Sequence, residues 1–322
     1  MSKLLLRRAA GAISIALIMV GSALAQSYPS RPITLVVPFA PGSGTDQVAR
    51  GMSQALHATL PGATVIVENK PGAGGQIAGR TVAIAPNDGY TLFLTTNTTQ
   101  SANPHLYKKL SYDPVADFVP IAAIARGSMF LALPASSPIK SVADLIAEGK
   151  KRTLTYGAGN SSSRVAAEMF SQMTGIKFLY VPYKSNPQAV TDLVSGQVDF
   201  MFADPASSLP LLQAGKLKAL AYAGDKRSPA MPDLPTLQES GVKDYALYYW
   251  VAAYAPKGTP PDVVKRLNEA FVKGVSSDVV TRVYNQAWLE PFTTTSEGLA
   301  KFQKDETDKW GRVIKAAGIQ PE

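Results

Sequence analysis

The chain has 322 residues, a formal charge of +8, no cysteine and two histidines. Without cysteine it cannot form a disulfide, and His57 and His105 lie outside any metal-binding or catalytic spacing, so both are expected to be structural or exposed. Lysine and arginine are scattered and never form a run, which argues against a nucleic-acid partner.

Residues 1–25 have the features of a secretory signal peptide. Three basic residues precede an apolar stretch over 9–20, and an A-x-A motif ends at Ala25. The apolar stretch is too short to span a bilayer, so we expect export and cleavage after Ala25. Removing these 25 residues and three positive charges leaves 297 residues with a charge of +5, a length that favours two domains.

The first half of the exported chain alternates strands with helices. An apolar run at 33–37 predicts a buried strand, and a glycine-rich turn separates it from a helix predicted over 47–60. Further strands are predicted at 65–67 and 90–94, with a short helix at 77–84 between them. Such alternation indicates a parallel sheet whose two faces are covered by helices.

The second half repeats this unit. A strand predicted at 154–156 ends in a glycine turn at 157–163, and a helix over 164–173 follows. We therefore predict an α/β fold with two lobes, each of which aims a helix N-terminus at a shared cleft. The last three predicted helices are expected to cover the first lobe. The other predicted strands are 121–125, 129–133, 178–181, 198–202 and 217–223, and the other helices 141–151, 188–195, 261–275, 278–286 and 296–316.

The two glycine turns suit an anion. In the first, residues 42–46 (GSGTD), bare backbone N–H groups and a helix N-terminus point at one place. The turn lacks the lysine of a P-loop and the G-x-G-x-x-G spacing, so a nucleotide site is disfavoured. A tight turn without a ligand is the alternative, and the second turn at 157–163 favours the anion site. A third turn, 69–75, is better explained by close helix packing.

Three charged residues and one aromatic residue have open roles. Asp46 either caps its helix or accepts a hydrogen bond from a ligand. Asp204 follows an apolar strand, where it either reaches the cleft or forms a turn. Arg164 either clamps a carboxylate through two N–H groups or lies in solvent. Trp250 belongs to an aromatic strand that is expected to be core.

Ten short motifs, in chain order, resemble one family. Together they are similar to the Bug family, the TctC-like periplasmic receptors of tripartite tricarboxylate transporters. They cover nearly the whole chain after residue 25, and their combination is highly specific. The motifs are YPSRPI (28–33), VPFAPGSGTD (37–46), ENKPGAGG (68–75), PNDGYTL (86–92), YDP (112–114), VPYK (181–184), GQVD (196–199), AGKL (214–217), KRSP (226–229) and LPT (234–236).

The resemblance implies a type II periplasmic binding-protein fold, in which two α/β lobes joined by two crossing segments close over a small carboxylate. We place lobe 1 at 26–125 plus 225–322 and lobe 2 at 126–224. The implied ligand-binding residues are Phe39, Ala40, Gly42, Ser43, Gly44, Thr45, Asp46, Thr95, Thr96 and Asn97 in the first lobe, and Gly157, Gly159, Asn160, Ser161, Ser162, Ser163, Arg164 and Asp204 in the second.

The implied function is periplasmic capture of a di- or tricarboxylate, an amino acid or an aromatic acid for the membrane components of a transporter. No catalytic residue, metal or cofactor is implied, and a monomer is expected. Arg164 stands where the family often has histidine, and Ser185 where glycine is usual, so Arg164 is expected to contact a second anionic group. A sensor subunit for a membrane signalling kinase and an exported hydrolase or transferase are the alternatives.

Overall fold

The computed structural model of the protein describes residues 28–322. The predicted signal peptide, residues 1–25, and its cleavage site after Ala25 lie outside the described residues. Within the described part of the chain, no helix is long and apolar enough to cross a membrane.

Strands and helices alternate along most of the described chain. The strands are β1 (Ile33–Val37), β2 (Val65–Asn69), β3 (Thr91–Thr96), β4 (Phe118–Gly127), β5 (Phe130–Pro134), β6 (Thr155–Ala158), β7 (Leu179–Pro182), β8 (Met201–Ala203), β9 (Leu217–Tyr222), β10 (Tyr249–Pro256) and β11 (Glu290–Pro291). The α-helices are α1 (Gly44–Thr59), α2 (Gln76–Ala83), α3 (Asn103–Leu106), α4 (Val142–Gly149), α5 (Ser161–Thr174), α6 (Asn186–Val194), α7 (Pro205–Gln213), α8 (Pro261–Val275), α9 (Asp278–Ala287) and α10 (Ser296–Ala316). A 3₁₀ turn (Ala73–Gly75) precedes α2, and a π-helical turn (Thr98–Ala102) precedes α3.

The first lobe is built on a six-stranded sheet in the order β11-β4-β10-β3-β1-β2. β1 pairs in parallel with β2 and β3, whereas β10 runs antiparallel to β3 and β4. Ile33 and Leu35 lie in the core that the sheet forms with α1, α8 and α9, while Val36 lies in the core on the opposite face. This burial on both faces explains the continuous apolar run of β1. The strand pairing confirms the predicted parallel arrangement for β1, β2 and β3, whereas β4, β10 and β11 make the sheet a mixed one.

The second lobe contains the strand order β8-β5-β9 and a parallel pair, β6 and β7. A parallel bridge between Tyr156 and Phe200 joins this pair to the segment before β8. Phe170 of α5 packs against Phe202, with ring centres 5.9 Å apart, in the core below the sheet. The two-lobe α/β fold is therefore confirmed.

Two segments connect the lobes and lie side by side. Ser128 Oγ donates to the carbonyl of Leu247 at 2.6 Å, and the Leu247 N–H donates to the carbonyl of Ala223 at 2.9 Å. The Ala223 N–H in turn donates to the carbonyl of Met129 at 2.8 Å. These bonds confirm the two adjacent crossing segments that the resemblance implied.

The last helix, α10, packs on both lobes. Leu299, near its start, lies in the core that contains Trp250, whereas Trp310 and Ile314 lie in the core of the second lobe. The prediction that the last three helices cover the first lobe is thus confirmed for α8 and α9 and wrong for the second half of α10.

Residues 234–247 also pack on the second lobe. The Tyr245 hydroxyl donates to the carbonyl of Ala166 at 2.8 Å, and the Leu237 N–H donates to the carbonyl of Tyr222 at 2.9 Å. The proposed lobe boundary between residues 224 and 225 stays a prediction, and these contacts favour a boundary at the start of β10.

The second glycine turn is shorter than predicted. Gly157 belongs to β6, and α5 begins at Ser161 because the Asn160 side chain caps it by accepting from the Ser163 N–H. Helix α7 escaped prediction even though Asp204 and Pro205 form a helix-start pattern. Pro210 lies inside α7, where a proline normally argues against a helix.

Candidate ligand-binding cleft

The loop between β1 and α1 presents a helix N-terminus at the carboxyl edge of the first sheet. Gly42 adopts φ +82°, a conformation that favours glycine, and its N–H donates to Asp46 Oδ2 at 2.9 Å. Ser43 caps α1 by accepting from the Asp46 N–H at 3.3 Å. The N–H groups of Gly44 and Thr45 have no partner in the described chain and remain able to bind an anion.

Asp46 stabilises this loop from inside. Its side chain is 2% exposed and does not line the cleft cavity. Oδ2 accepts from Arg50 Nε at 3.0 Å as well as from Gly42, and Oδ1 accepts from Asn69 Nδ2 at 2.9 Å. The hydrogen bond to Asp46 raises the pKa of the Arg50 guanidinium. Of the two roles predicted for Asp46, the structure favours support of the loop.

The opposing loop of the second lobe presents the N-terminus of α5. Asn160 Oδ1 accepts from the Ser163 N–H at 2.9 Å, which leaves the N–H groups of Ser161 and Ser162 without a partner in residues 28–322. Gly159 allows the backbone at Ser185 to pack closely against it, because a Cβ at position 159 would lie 2.1 Å from the Ser185 carbonyl carbon. Close packing thus restricts position 159 to glycine.

Two more helices of the second lobe begin at the same place. Ser185 precedes α6, and Asp204 caps α7, where its Oδ1 accepts from the Ser207 N–H at 3.0 Å. Asn186 ties the loops together: its Nδ2 donates to Asp204 Oδ2 at 2.7 Å, and its Oδ1 accepts from the Gly159 N–H at 3.0 Å. Buried hydrogen bonds therefore set the relative positions of three loops.

The N-termini of α1, α5, α6 and α7 thus converge on one cleft. Each helix N-terminus carries a partial positive charge of about half a unit, and Asp204 offsets that of α7. Within residues 28–322, no lysine, arginine or histidine lines the cavity between these helices. The positive potential of the cleft therefore comes from the main chain, an arrangement that suits a compact anion such as a carboxylate.

The two lobes touch across the cleft. The cavity left between them is small, with about 30 Å³ open to the centre of a water molecule. Within residues 28–322, Ser161 Oγ donates to Asn103 Oδ1 of the first lobe (3.0 Å), and three further hydrogen bonds each join a first-lobe donor to a second-lobe acceptor. They run from the Ala40 N–H to Ser185 Oγ (3.3 Å), from Gln47 Nε2 to the carbonyl of Ala206 (2.7 Å) and from Asn97 Nδ2 to Ser162 Oγ (2.9 Å).

The predicted site residues divide into those that line the cavity and those that support it. The lining ones are Phe39, Ser43, Gly44, Thr45, Thr96, Asn160, Ser162 and Asp204. Ala40 and Asn97 take part in the bonds across the cleft. The supporting ones are Gly42, Asp46, Thr95, Gly157, Gly159, Ser161 and Ser163, with Thr95 bonded to Thr99 (2.6 Å), Ser161 to Asn103 (3.0 Å) and Ser163 to Asn186 (3.3 Å).

Four lining residues were not predicted: Met129, Ser185, Asn186 and Tyr249. Ser185 and Asn186 lie at a strand-to-helix junction with proline next, a signal that could have identified them. Met129 and Tyr249 come from the crossing segments, and no local sequence pattern marks them as cleft residues. Burial, and then the charge of Asp204, raise the pKa of Tyr249 well above its usual value, so its hydroxyl stays protonated and can donate.

A family model described as "Tripartite tricarboxylate transporter family receptor" matches residues 45–319. The chain belongs to this family. Among solved structures, the periplasmic binding protein BugD is 34% identical with a TM-score of 0.87, over 92% of this chain and 100% of BugD. An R. palustris protein whose structure contains adipate is 36% identical, with a TM-score of 0.88, over 92% of this chain and 100% of that protein. MatC from Rhodopseudomonas palustris with bound malate is 31% identical, with a TM-score of 0.83, over 89% of this chain and 100% of MatC. The chain is therefore a solute-binding protein with the two-lobe fold of periplasmic receptors.

Arg164 of this receptor does not line the cleft cavity. Its Nη1 lies 2.6 Å from Glu322 Oε1, and its Cζ lies 4.8 Å from the centre of the Tyr180 ring. The side chain is only 15% exposed, because these contacts enclose it. The predicted contact with a second anionic group therefore finds no support in the position of the guanidinium.

The receptor's histidines and Trp250 are structural. His57 Nδ1 is hydrogen-bonded to the carbonyl of Ala63 (2.9 Å), and His105 Nε2 to that of Thr307 (3.0 Å). Trp250 is 1% exposed and packs edge-on against Phe302, as the prediction of a core strand requires. In the described residues, no cluster of histidine and acidic side chains could hold a metal ion.

Proposed function

We propose that this receptor captures a small organic acid in the periplasm and delivers it, chemically unchanged, to the membrane components of a tripartite tricarboxylate-type transporter. We propose that it acts as a monomer after export and cleavage following Ala25. The ligand carries at least one carboxylate; di- and tricarboxylates, amino acids and aromatic acids all meet this condition.

One observation carries the proposal: in the part of the chain that the structure describes, the N–H groups of Gly44, Thr45, Ser161 and Ser162 have no partner. They belong to helix N-termini that meet at a cleft which no cationic side chain of that part lines. Each hydrogen bond to a charged group contributes about 1.5–3 kcal/mol, and each helix dipole about 0.3–1 kcal/mol. A few such contacts suffice for micromolar binding, about −8 kcal/mol. The relatives solved with adipate and malate support an organic acid as the ligand.

Ligand entry requires movement of the lobes. Hydrogen bonds from Ala40, Gln47 and Asn97 to the second lobe span the cleft, so the lobes must separate about the paired crossing segments to admit an acid. Ligand binding is then coupled to the hydrogen bonds that join the lobes, and the bound form is expected to be the more stable one.

The first test is the melting temperature of the exported chain with a panel of mono-, di- and tricarboxylates, amino acids and aromatic acids. A ligand at a hundredfold excess over its Kd stabilises by about 2.7 kcal/mol, which raises the melting temperature of a protein of this size by several degrees. If no member of the panel shifts the melting temperature, the proposed function is wrong.

The second test removes one backbone donor. Gly44→Pro deletes the N–H at the first helical position, where proline is well tolerated, and the extended Ser43 (φ −67°, ψ 158°) suits a following proline. Gly44→Ala is the matched control, since it keeps the N–H and adds the same Cβ. We expect the Kd of the best ligand to be about tenfold higher in the proline variant than in the alanine variant. Equal affinities would show that the Gly44 N–H does not bind the carboxylate.

A further inference from the structure

We propose that Asp204 makes the receptor select acids that carry a hydroxyl or ammonium group on the carbon next to the bound carboxylate. This inference rests on the proposed function, because it concerns the ligand of the same cleft. Asp204 is 6% exposed and, within residues 28–322, is the one charged side chain among the residues that line the cavity.

The two carboxylate oxygens of Asp204 are used differently. Oδ2 accepts from Asn186 Nδ2 at 2.7 Å and from Ser207 Oγ at 2.9 Å, so both of its lone pairs are occupied. Oδ1 accepts only from the Ser207 N–H, at 3.0 Å, within the described chain. A carboxylate oxygen can accept two hydrogen bonds, and Oδ1 therefore has one position left for a further donor.

Asp204 Oδ1 lies next to the proposed carboxylate site. A Cβ built on Gly44 would be 3.3 Å from Asp204 Oδ1, so this oxygen faces the first turn of α1 across the cleft. The N–H groups that would hold the ligand carboxylate belong to Gly44 and to its neighbour Thr45. The ligand carboxylate and Oδ1 consequently come within a few ångströms of each other when the lobes close.

Two negative groups at that distance repel each other in a cleft that excludes most water. A donor on the carbon next to the carboxylate removes this penalty, because it lies between the two groups and donates to Oδ1. An ammonium group adds an opposite charge, and a hydroxyl group adds a hydrogen bond. An acid without such a donor leaves the second acceptor position of Oδ1 unfilled and brings its own carboxylate close to the charge of Asp204, so it should bind more weakly.

The experiment uses sets of acids with one carbon skeleton each, measured by isothermal titration calorimetry. The sets are propanoate, lactate and alanine; succinate, malate and aspartate; and glutarate, 2-hydroxyglutarate and glutamate. In every set that binds, we expect the substituted acids to bind about tenfold to a hundredfold more tightly than the unsubstituted one. This ranking in the unaltered protein needs no variant.

The variant Asp204→Asn tests the residue itself. Asparagine is an equally good helix cap, so the cap of α7 is retained. The negative charge is lost, and an amide nitrogen replaces the oxygen that accepts from Asn186 and Ser207. We expect the preference for the amino acid over the unsubstituted acid to fall at least about tenfold. Asp305→Asn, the same change at an exposed position of α10 paired with Lys301, is the control and should leave the ranking unchanged.

The results separate a failure of this inference from a failure of the proposed function. Unsubstituted acids that bind as tightly as their substituted partners would overturn the inference and leave the proposed function intact. A full amino-acid preference in Asp204→Asn would likewise overturn it. If none of these acids and no member of the thermal panel binds to the unaltered protein, the proposed function fails, and the inference fails with it.

Discussion

Arg164 lies at the start of α5, but its guanidinium extends away from the cleft towards Glu322. The backbone of Glu322 is itself held, since its N–H donates to the carbonyl of Leu106 at 2.9 Å and its carbonyl accepts from the Lys108 N–H at 2.8 Å. The Tyr180 ring covers the guanidinium, an arrangement that favours a cation. Arg164 thus joins α5 to the last residue of the sequence.

We expect Arg164→Ala to lower the free energy of unfolding by about 1–2 kcal/mol, because it removes a partly buried ion pair and a cation–π contact. The Kd of the best ligand should change less than about twofold. Urea unfolding and calorimetry measure the two quantities. Glu322→Gln completes a double-mutant cycle, in which a shared ion pair gives a non-additive loss. Lower affinity with unchanged stability would instead place Arg164 in the ligand site.

At the scale of elements, α1 and α7 meet head to head across the cleft. Gln47, in the first turn of α1, donates through Nε2 to the carbonyl of Ala206 in the first turn of α7 at 2.7 Å. This contact exists only when the lobes are together, so it contributes to the closed arrangement and nothing to either lobe alone.

Gln47→Ala should therefore weaken closure without weakening the fold. We expect the apparent Kd for the best ligand to rise about three- to tenfold, because one neutral hydrogen bond contributes roughly 0.5–1.5 kcal/mol. The melting temperature without ligand should fall only slightly, because within the first lobe Gln47 Nε2 makes one long hydrogen bond, to the carbonyl of Gly42 at 3.3 Å. Gln54→Ala, on the exposed side of the same helix, is the matched control. An unchanged Kd in Gln47→Ala would mean that this bond is absent from the ligand-bound form.

At the scale of the whole molecule, α10 belongs to both cores. Its first half packs on the six-stranded sheet through Leu299 and Phe302, and its second half packs on the second lobe through Trp310 and Ile314. Trp310 is 1% exposed, and its indole N–H donates to Glu306 Oε2 at 3.2 Å. One rigid helix thus makes the stability of each lobe depend on the other.

We expect a single unfolding transition for the unaltered protein in differential scanning calorimetry. Trp310→Ala should lower the free energy of unfolding by about 3–5 kcal/mol, as truncation of a buried tryptophan does. It should also separate the transition into two, because the substitution removes the main packing contact between the second lobe and α10. Arg312→Ala, on the exposed face of the same helix, should do neither. One sharp transition in Trp310→Ala would show that the lobes are coupled elsewhere.

Much of the cleft could be predicted because its parts are local. Ser43, Gly44 and Thr45 form a glycine turn followed by a helix cap, and Asn160 and Ser162 repeat this pattern in the other lobe. Caps and turns depend on a few neighbouring residues, so the chain displays them without knowledge of the fold.

Met129, Tyr249 and the direction of the Arg164 side chain could not be predicted in this way. Met129 and Tyr249 belong to the two crossing segments and reach the cavity only because these segments pair with each other. Arg164 has a long side chain, and its partners Tyr180 and Glu322 are distant along the sequence. Its direction depends on packing between elements that no local pattern describes.

The sequence by itself determined the α/β alternation, the helix starts that surround the cleft and the family, since periodicity, caps and turn residues act over a few positions. Only the tertiary structure decided which charges act within the protein and which reach the cleft. Asp46 and Asp204 are both acidic helix-start residues, yet the fold surrounds Asp46 with donors and turns one oxygen of Asp204 towards Gly44. The difference arises because hydrogen-bond partners come from the packing of distant segments.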